Sequence, residues 1–203
     1  MELDNWDGFY EANQYPFEKG TSNDAIQVAG YKNTGEVLDI GCGEGDNAMF
    51  FASKGFRVTA VDISKVIISR LVRESQEGCL DIKTVVSSVR NYKFDQDYDI
   101  IFARNLLHYL LRDNGLKLIR NIQEHTRGGG INLIRANMRS PHLFNEENKD
   151  NCFLDTNELL NLYLNESWNV LKYNEQKTQP IASHNGQTQM QAAIIAQRLE
   201  DKV

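Results

Sequence analysis

The segment VLDIGCGEGDNAMFFASKGFRVTAVDIS, Val37 to Ser64, constrains the fold more than any other. A short apolar run, EVLDI, ends in glycines at positions 41, 43 and 45. A helix-spaced run, DNAMFFASKG, then closes at Gly55, a residue suited to a helix C-terminus. A second apolar run, RVTAV, leads to Asp62, seventeen residues past the last glycine. Strand, glycine turn, helix and strand in that order predict a parallel βαβ unit. Its glycine turn brings backbone close to whatever it binds.

The alternation continues through the chain. SKVIISRLVRESQEG reads as a helix capped by Ser64 and terminated by Gly78. IKTVVSSV and YDIIFAR read as strands, and DNGLKLIRNIQEHTRGG as a helix with Asp113 as a cap. INLIRAN is a strand, DTNELLNLYL a helix, and SWNVLKYNE and QTQMQAAIIAQRL are strands. This order predicts an α/β fold, a Rossmann-like doubly wound, mostly parallel sheet. The last two strands are joined by QKTQPIASHNG, whose Asn185-Gly186 is a turn signal, so they form an antiparallel hairpin. Residues 1–34 are polar with interspersed aromatics (Trp6, Phe9, Tyr10, Tyr15, Phe17) and read as one or two short outer helices. The prediction is one domain, 1–203, with a 1–34 helical lid segment on a 35–203 core. The polar loop Arg139–Asn151 leaves the end of the fifth strand, where open α/β sheets place ligands.

Composition narrows the function. A net charge of −6 disfavours nucleic acid, whose binders neutralise phosphates with lysine and arginine. Cys42, Cys79 and Cys152 form no CxxC pair and no zinc spacing, so no metal is predicted. The same three cysteines, an acidic N-terminus and the lack of a long apolar run point to a reducing, cytoplasmic setting without a membrane partner.

Three readings of the glycines compete. GxG alone is often just a tight strand-to-helix turn. Dinucleotide sites use GxGxxG, but here the place of the third glycine is Asp46, and an acid at a helix start repels a pyrophosphate. An acid there is compatible with a ligand carrying a sulfonium and an ammonium, which is S-adenosylmethionine. Asp62, ending the strand beside the turn, is placed to accept from two ribose hydroxyls. The combination of Asp39, three glycines, a helix and Asp62 favours this third reading.

VLDIGCGEG with VTAVDIS resembles the first two motifs of class I S-adenosylmethionine-dependent methyltransferases. FDQDYDIIFARNLLHYL resembles the family's fourth-strand segment. GGGINLIRANM and LDTNELLNLYLNESWNVLKYNE resemble its tellurite-resistance TehB branch. The resemblance implies a seven-stranded sheet with the seventh strand antiparallel between the fifth and sixth. It implies that Asp39 acts near the methionine ammonium, and that Gly41, Cys42 and Gly43 line the methionine and ribose portions. Asp62 would hold the ribose diol, Ile63 would pack on adenine, and Arg104 and Asn105 would offer backbone to the ammonium. Where many relatives have an acid for the adenine amino group, this chain has Ser88 and Val89. A serine hydroxyl can accept that bond and the Val89 amide can donate, though a neutral bond is about half as strong as a charge-assisted one.

Methyl transfer from a sulfonium is an in-line displacement that does not require a protein base. His108, in RNLLHYL, is a candidate base or positioning group, or else a histidine packed on a short helix. Tyr10 is a candidate lid contact, or else a packing residue. Arg135 and Arg139 could meet an anionic substrate or simply be solvated, and His184 reads as a turn residue. The branch implies a His-Arg pair in the last hairpin, but this chain reads QPIASHNG there, so the resemblance does not carry tellurite or selenite over as substrate. The expected function is methyl transfer to a small-molecule nucleophile (sulfur, oxygen, nitrogen or a chalcogen anion). RNA or protein methylation, or a non-catalytic binding module, are the alternatives.

Overall fold

In the computed structural model, the described residues are 5–13, 19–140, 146–178 and 188–200. Tyr15, Phe17, His184, Asn185, Gly186 and the first part of the polar loop after Arg139 lie outside them. Seven strands form one sheet: β1 (Glu36–Ile40), β2 (Arg57–Asp62), β3 (Ile82–Val86), β4 (Tyr98–Arg104), β5 (Thr126–Asn137), β6 (Trp168–Lys177) and β7 (Met190–Arg198). Their order is β3-β2-β1-β4-β5-β7-β6. β1 runs parallel to β2 and β4, and β7 runs antiparallel to both β5 and β6. The doubly wound, mostly parallel sheet with its antiparallel C-terminal hairpin, expected from the sequence, is present. By compactness the chain divides into Met1–Ala103 and Arg104–Val203.

In the first unit, β1 and β2 are buried through nearly their whole length, as strands covered on both faces must be. Their apolar runs supply no polar side that could face water. Helix α3 (Asp46–Ser53) sends Phe51 into the core, where its ring meets Phe56 and Phe102 edge-on at 5.8 and 5.6 Å. α4 (Lys65–Glu77) starts on Ser64, whose hydroxyl accepts from the Ile67 amide, as predicted for a cap. Gly78 ends it, but the left-handed residue is the next one, Cys79, at φ 51°. Two short helices precede the sheet, α1 (Trp6–Ala12) and α2 (Asn23–Ala29).

In the second unit, α5 (Arg112–Glu124) begins after Leu111 rather than on Asp113. The Arg112 amide donates to Asp150 O at 2.8 Å, so a distant backbone carbonyl does the work of a side-chain cap. Asp113 falls inside the first turn, where an acid suits the helix dipole. The helix also stops earlier than its pattern implied, and β5 starts at Thr126, before the three glycines. Arg198 of β7 explains the stop: its guanidinium donates to Thr126 O at 2.6 Å and Glu124 O at 3.1 Å, a cation closing a helix C-terminus. DTNELLNLYL shrinks to one turn, α6 (Glu158–Asn161), entered through Asn157 at φ 61°. Buried polar groups are satisfied mutually: Thr126 Oγ1 lies 2.6 Å from Asn132 Oδ1, and Asn132 Nδ2 donates to the Tyr163 hydroxyl at 3.1 Å.

Candidate functional site

The glycine turn follows β1 directly. The amides of Gly41 and Cys42 both donate to Val61 O of β2, at 2.8 and 3.0 Å, so the turn folds over the end of the neighbouring strand. Gly41, Gly43 and Gly45 have φ of 73°, 51° and 80°, a region that side chains other than glycine's disfavour. Their reasons differ. A Cβ on Gly43 would reach the Tyr10 hydroxyl at 3.4 Å, whereas one on Gly45 would sit 2.6 Å from Leu71 Cδ1. Gly43 is thus required for its left-handed backbone, with the Tyr10 hydroxyl in ordinary contact range above it. Gly45 lets α3 start against α4, and is there for packing.

Asp62 is the anchor of the turn. It is 9% exposed. Its Oδ2 accepts from the Gly43 amide at 2.9 Å and its Oδ1 from the Ser64 amide at 3.0 Å. Burial pushes its pKa above the ordinary carboxylate value, against the pull of these backbone donors. A carboxylate offers about four acceptor sites, so the two backbone bonds leave capacity for further donors. Ile63 beside it is half-buried. Asp39 is buried at the end of β1, and Cys42 is buried between the two acids; desolvation first, then the charges of Asp39 and Asp62, hold its thiol protonated. Cys42 is thus a packing and backbone element of the turn and no nucleophile.

β3 delivers its end to the same place. The Ser87 amide donates to Asp62 O at 2.9 Å, and the half-buried Ser88 and Val89 follow. The Ser88 hydroxyl is approached only at 3.4 Å by the Arg90 amide and guanidinium.

Tyr10 is 3% exposed and packs with Trp6 and Phe9 at centroid distances of 5.9 and 5.6 Å. What holds α1 there was not anticipated from the sequence. Asp7 Oδ1 accepts from the Ser64 hydroxyl at 2.6 Å and from the Val66 amide at 3.2 Å, and Arg70 donates to Tyr10 O at 2.7 Å. Asp7 thereby caps α4 in trans, and the Ser64 bond holds its carboxyl below the ordinary range. Gly20 and Ser22, just ahead of α2, are tied too. Asp46 accepts from the Gly20 amide at 2.7 Å and Asn47 from the Ser22 amide at 3.0 Å. The helix-start acid that argued against a pyrophosphate thus has a second task. A signal existed for it: Asp46-Asn47 are poor helix interior residues but good acceptors at a helix start.

The remaining candidates lie in the second unit. Arg104 and Asn105 are half-buried at the end of β4, and Asn105 turns the chain at φ 57° while its amide donates to Arg135 O at 2.8 Å. His108 sits on a single 3-10 turn, Leu107–Tyr109, its ring 4.2 Å from Tyr109 and 6.1 Å from Phe153. Asn151 Nδ2 donates to His108 O at 2.9 Å and fixes that turn. Arg139 is exposed and pairs with Asp155 at 3.3 Å. Among the described residues no group of acids, histidines and cysteines could hold a metal, and no helix is long and apolar enough to cross a membrane. A groove of about 310 Å³ lined by Ile26, Ala29, Gly30, Lys32, Asn33, Lys54 and Phe56 contains none of the site residues.

Comparison with known proteins follows this geometry. The model of the family described as tellurite resistance protein TehB matches residues 6–192. The probable S-adenosyl-L-methionine-dependent methyltransferase TehB of Haemophilus influenzae (strain 10810) is 30% identical over 173 residues, which is 83% of this chain and 59% of that protein. The chain therefore spans about three fifths of the length of that relative. A ubiquinone biosynthesis O-methyltransferase of Rickettsia canadensis (strain McKiel) is 29% identical over 123 residues, 60% of this chain and 48% of that one. The crystal structure of TehB from Haemophilus influenzae superposes with a TM-score of 0.77 at 25% identity, covering 97% of this chain and 67% of that one.

Proposed function

We propose methyl transfer from S-adenosylmethionine to a small-molecule nucleophile as the function of this chain, which belongs to the tellurite resistance protein TehB family. The observation that carries the reading is the Asp62 carboxylate, buried, backbone-anchored to Gly43 and Ser64, and still able to accept. That arrangement fits a ribose diol, whose two hydroxyls both donate. The open backbone at Gly41 and Gly43 fits a ligand lying flat on the turn, and the half-buried Ile63 fits one face of adenine. Ser88 and Val89 are assigned to the adenine edge, Cys42 to backbone contact, and Asp39, Arg104 and Asn105 to the methionine end. Relatives named as S-adenosylmethionine-dependent and O-methyltransferases support the same reading.

The cofactor supplies an electrophilic methyl group on a sulfonium. The chain's share is to bind, orient and exclude water. Tyr10, held by Asp7 and Arg70, covers the glycine turn as a lid residue. His108 is the candidate for positioning the acceptor or taking its proton, on a turn fixed by Asn151. The acidic balance of the chain, −6, supports a small molecule over RNA. Residues 1–203 act as one domain in this reading, in an aqueous compartment.

Incubating the purified chain with methyl-labelled S-adenosylmethionine and a cell extract tests it. The extract is then separated into volatile, small-molecule, RNA and protein fractions. Label in the first two supports the reading, and label in RNA or protein overturns the substrate class. Failure to bind the cofactor at all overturns the assignment of Asp62.

A further inference from the structure

A second set of polar groups lies at the ends of β4 and β5 and the beginning of β7, within the second unit. Gln191 of β7 pairs with Asn137 of β5 in the antiparallel register. Its Nε2 donates to Asn137 Oδ1 at 2.8 Å and to Asn105 Oδ1 at 2.9 Å. Both donor hydrogens of Gln191 are therefore used. Each asparagine accepts through its oxygen and turns its own Nδ2 away from Gln191. Asn137 and Gln191 are 4% and 7% exposed, so these amides are set in the protein and not at its surface.

Gln189 extends the row. It stands two residues before Gln191, directly ahead of β7, the spacing at which an extended chain returns to the same face. Its backbone is fixed, for the Thr178 amide donates to Gln189 O at 2.7 Å and the Gln189 amide donates to Thr178 Oγ1 at 3.0 Å. The next residue is fixed as well, Met190 O accepting from the Met138 amide at 2.8 Å. Yet Gln189 is 3% exposed and its Nε2 has no hydrogen-bond partner among the described residues. The Ser140 hydroxyl, two residues past Met138, is likewise buried without one. A buried donor left unmade is unfavourable, and such a group in a rigid frame asks for a ligand.

We propose that Gln189, with the Asn105–Gln191–Asn137 amides as its frame, is the recognition site for the methyl acceptor, and takes a neutral molecule through a carbonyl-type oxygen. The identification of the bound molecule as the acceptor rests on the methyl-transfer reading above. The location is where open α/β sheets take ligands, outside the carboxyl ends of parallel strands. The chemistry follows from the groups present. Gln189, Asn105, Asn137, Gln191 and Ser140 are all uncharged. Arg135, on the same face one pleat further in, is already engaged within the protein. Among these described residues a buried oxyanion would lack a charge partner, whereas a carbonyl would gain the donor that Gln189 holds ready.

The test is side-chain amide NMR on the 15N-labelled chain saturated with S-adenosylhomocysteine, the Gln189 resonances being identified by their loss in Gln189→Leu. Three thiols of similar size serve as probes: 2-mercaptoacetamide, mercaptoacetate and ethanethiol. The expected result is a saturable Gln189 shift with 2-mercaptoacetamide, about five- to tenfold tighter than with mercaptoacetate, and no shift with ethanethiol. Gln189→Glu, which keeps the shape and removes the donor, abolishes 2-mercaptoacetamide binding as read from the remaining amides. Preference for mercaptoacetate overturns the neutral class, and no shift with any probe overturns the site. Absence of S-adenosylhomocysteine binding by calorimetry overturns the methyl-transfer reading instead, so the two failures are distinct. Thermal denaturation of both variants separates loss of binding from loss of fold.

Discussion

At the scale of single residues, two positions in the first unit carry opposite lessons. The place of Asp62 at the end of β2, tied to the glycine turn, was legible because a residue after a strand at a fixed distance from such a turn is a local pattern; its hold on a ribose is the proposal. Its role predicts that Asp62→Ala weakens S-adenosylmethionine binding by about 2–4 kcal/mol, as when buried hydrogen bonds to a charged group are lost. Calorimetry checks this. The pH dependence follows from the raised pKa. Ribose hydroxyls donate to the ionised form, so binding favours it. Affinity is full above the pKa of the free protein and falls as pH drops below it, and the fall begins above the ordinary carboxylate range because burial has raised that pKa. A cofactor affinity that is flat down to the pKa of an exposed carboxylate counts against Asp62. Gly45 was legible as a glycine but not for its reason. The group it avoids, Leu71, is on another helix. Gly45→Ala combines a left-handed backbone with a methyl 2.6 Å from Leu71 Cδ1, and is expected to cost about 2–4 kcal/mol in denaturant unfolding.

At the scale of elements, β1, β2 and β4 were readable nearly end to end, because burial on both faces leaves one unbroken run, whereas the half-exposed β3 stops at Val86, three residues short of its pattern. The elements that went astray were those whose boundaries depend on a partner far away in sequence. α5 starts on a carbonyl from Asp150 and ends under Arg198, and neither is visible in its own periodicity. α6 keeps one turn of a ten-residue helical pattern, since Asn157 enters it in a left-handed conformation. α1 is the instructive case. Its aromatics announced packing, but its docking depends on Asp7 meeting Ser64 and Val66 of α4. Asp7→Ala is therefore expected to raise protease cleavage within 5–13 severalfold, with far-UV circular dichroism nearly unchanged. Acid should mimic it. The folded pKa of Asp7 is lowered, so its contribution is present above the ordinary carboxylate pKa and is lost as pH falls through the depressed value. Equal cleavage of wild type and variant at neutral pH, or no acid effect in the wild type, would sink the latch.

At the scale of the whole molecule, the sheet order β3-β2-β1-β4-β5-β7-β6 is the one the family resemblance implied, whereas the strand–helix alternation alone gave a mostly parallel sheet ending in an antiparallel hairpin. The amide row of Gln189, Gln191, Asn137 and Asn105 was not expected, because it assembles from three elements distant in sequence and contains no charged residue. The cofactor reading makes a thermodynamic claim on the entire chain. A ligand that binds only the folded state stabilises it by RT ln(1 + [L]/Kd), about 2.7 kcal/mol at a hundredfold excess over Kd. For a chain of this length that is a rise in Tm of roughly 5–11 °C. At the same ligand concentration an Asp62→Ala protein with affinity lower by about 3 kcal/mol would keep only about 0.3 kcal/mol, a shift of roughly 1 °C. Gly45→Ala should behave in the opposite way, starting from a lower Tm and keeping most of the ligand-induced rise. Differential scanning calorimetry of the three proteins with S-adenosylhomocysteine separates the two kinds of residue. If Asp62→Ala retains the full rise, the carboxylate does not hold the ribose and the cofactor must bind elsewhere. If wild type shows no rise, the chain does not bind the cofactor at all.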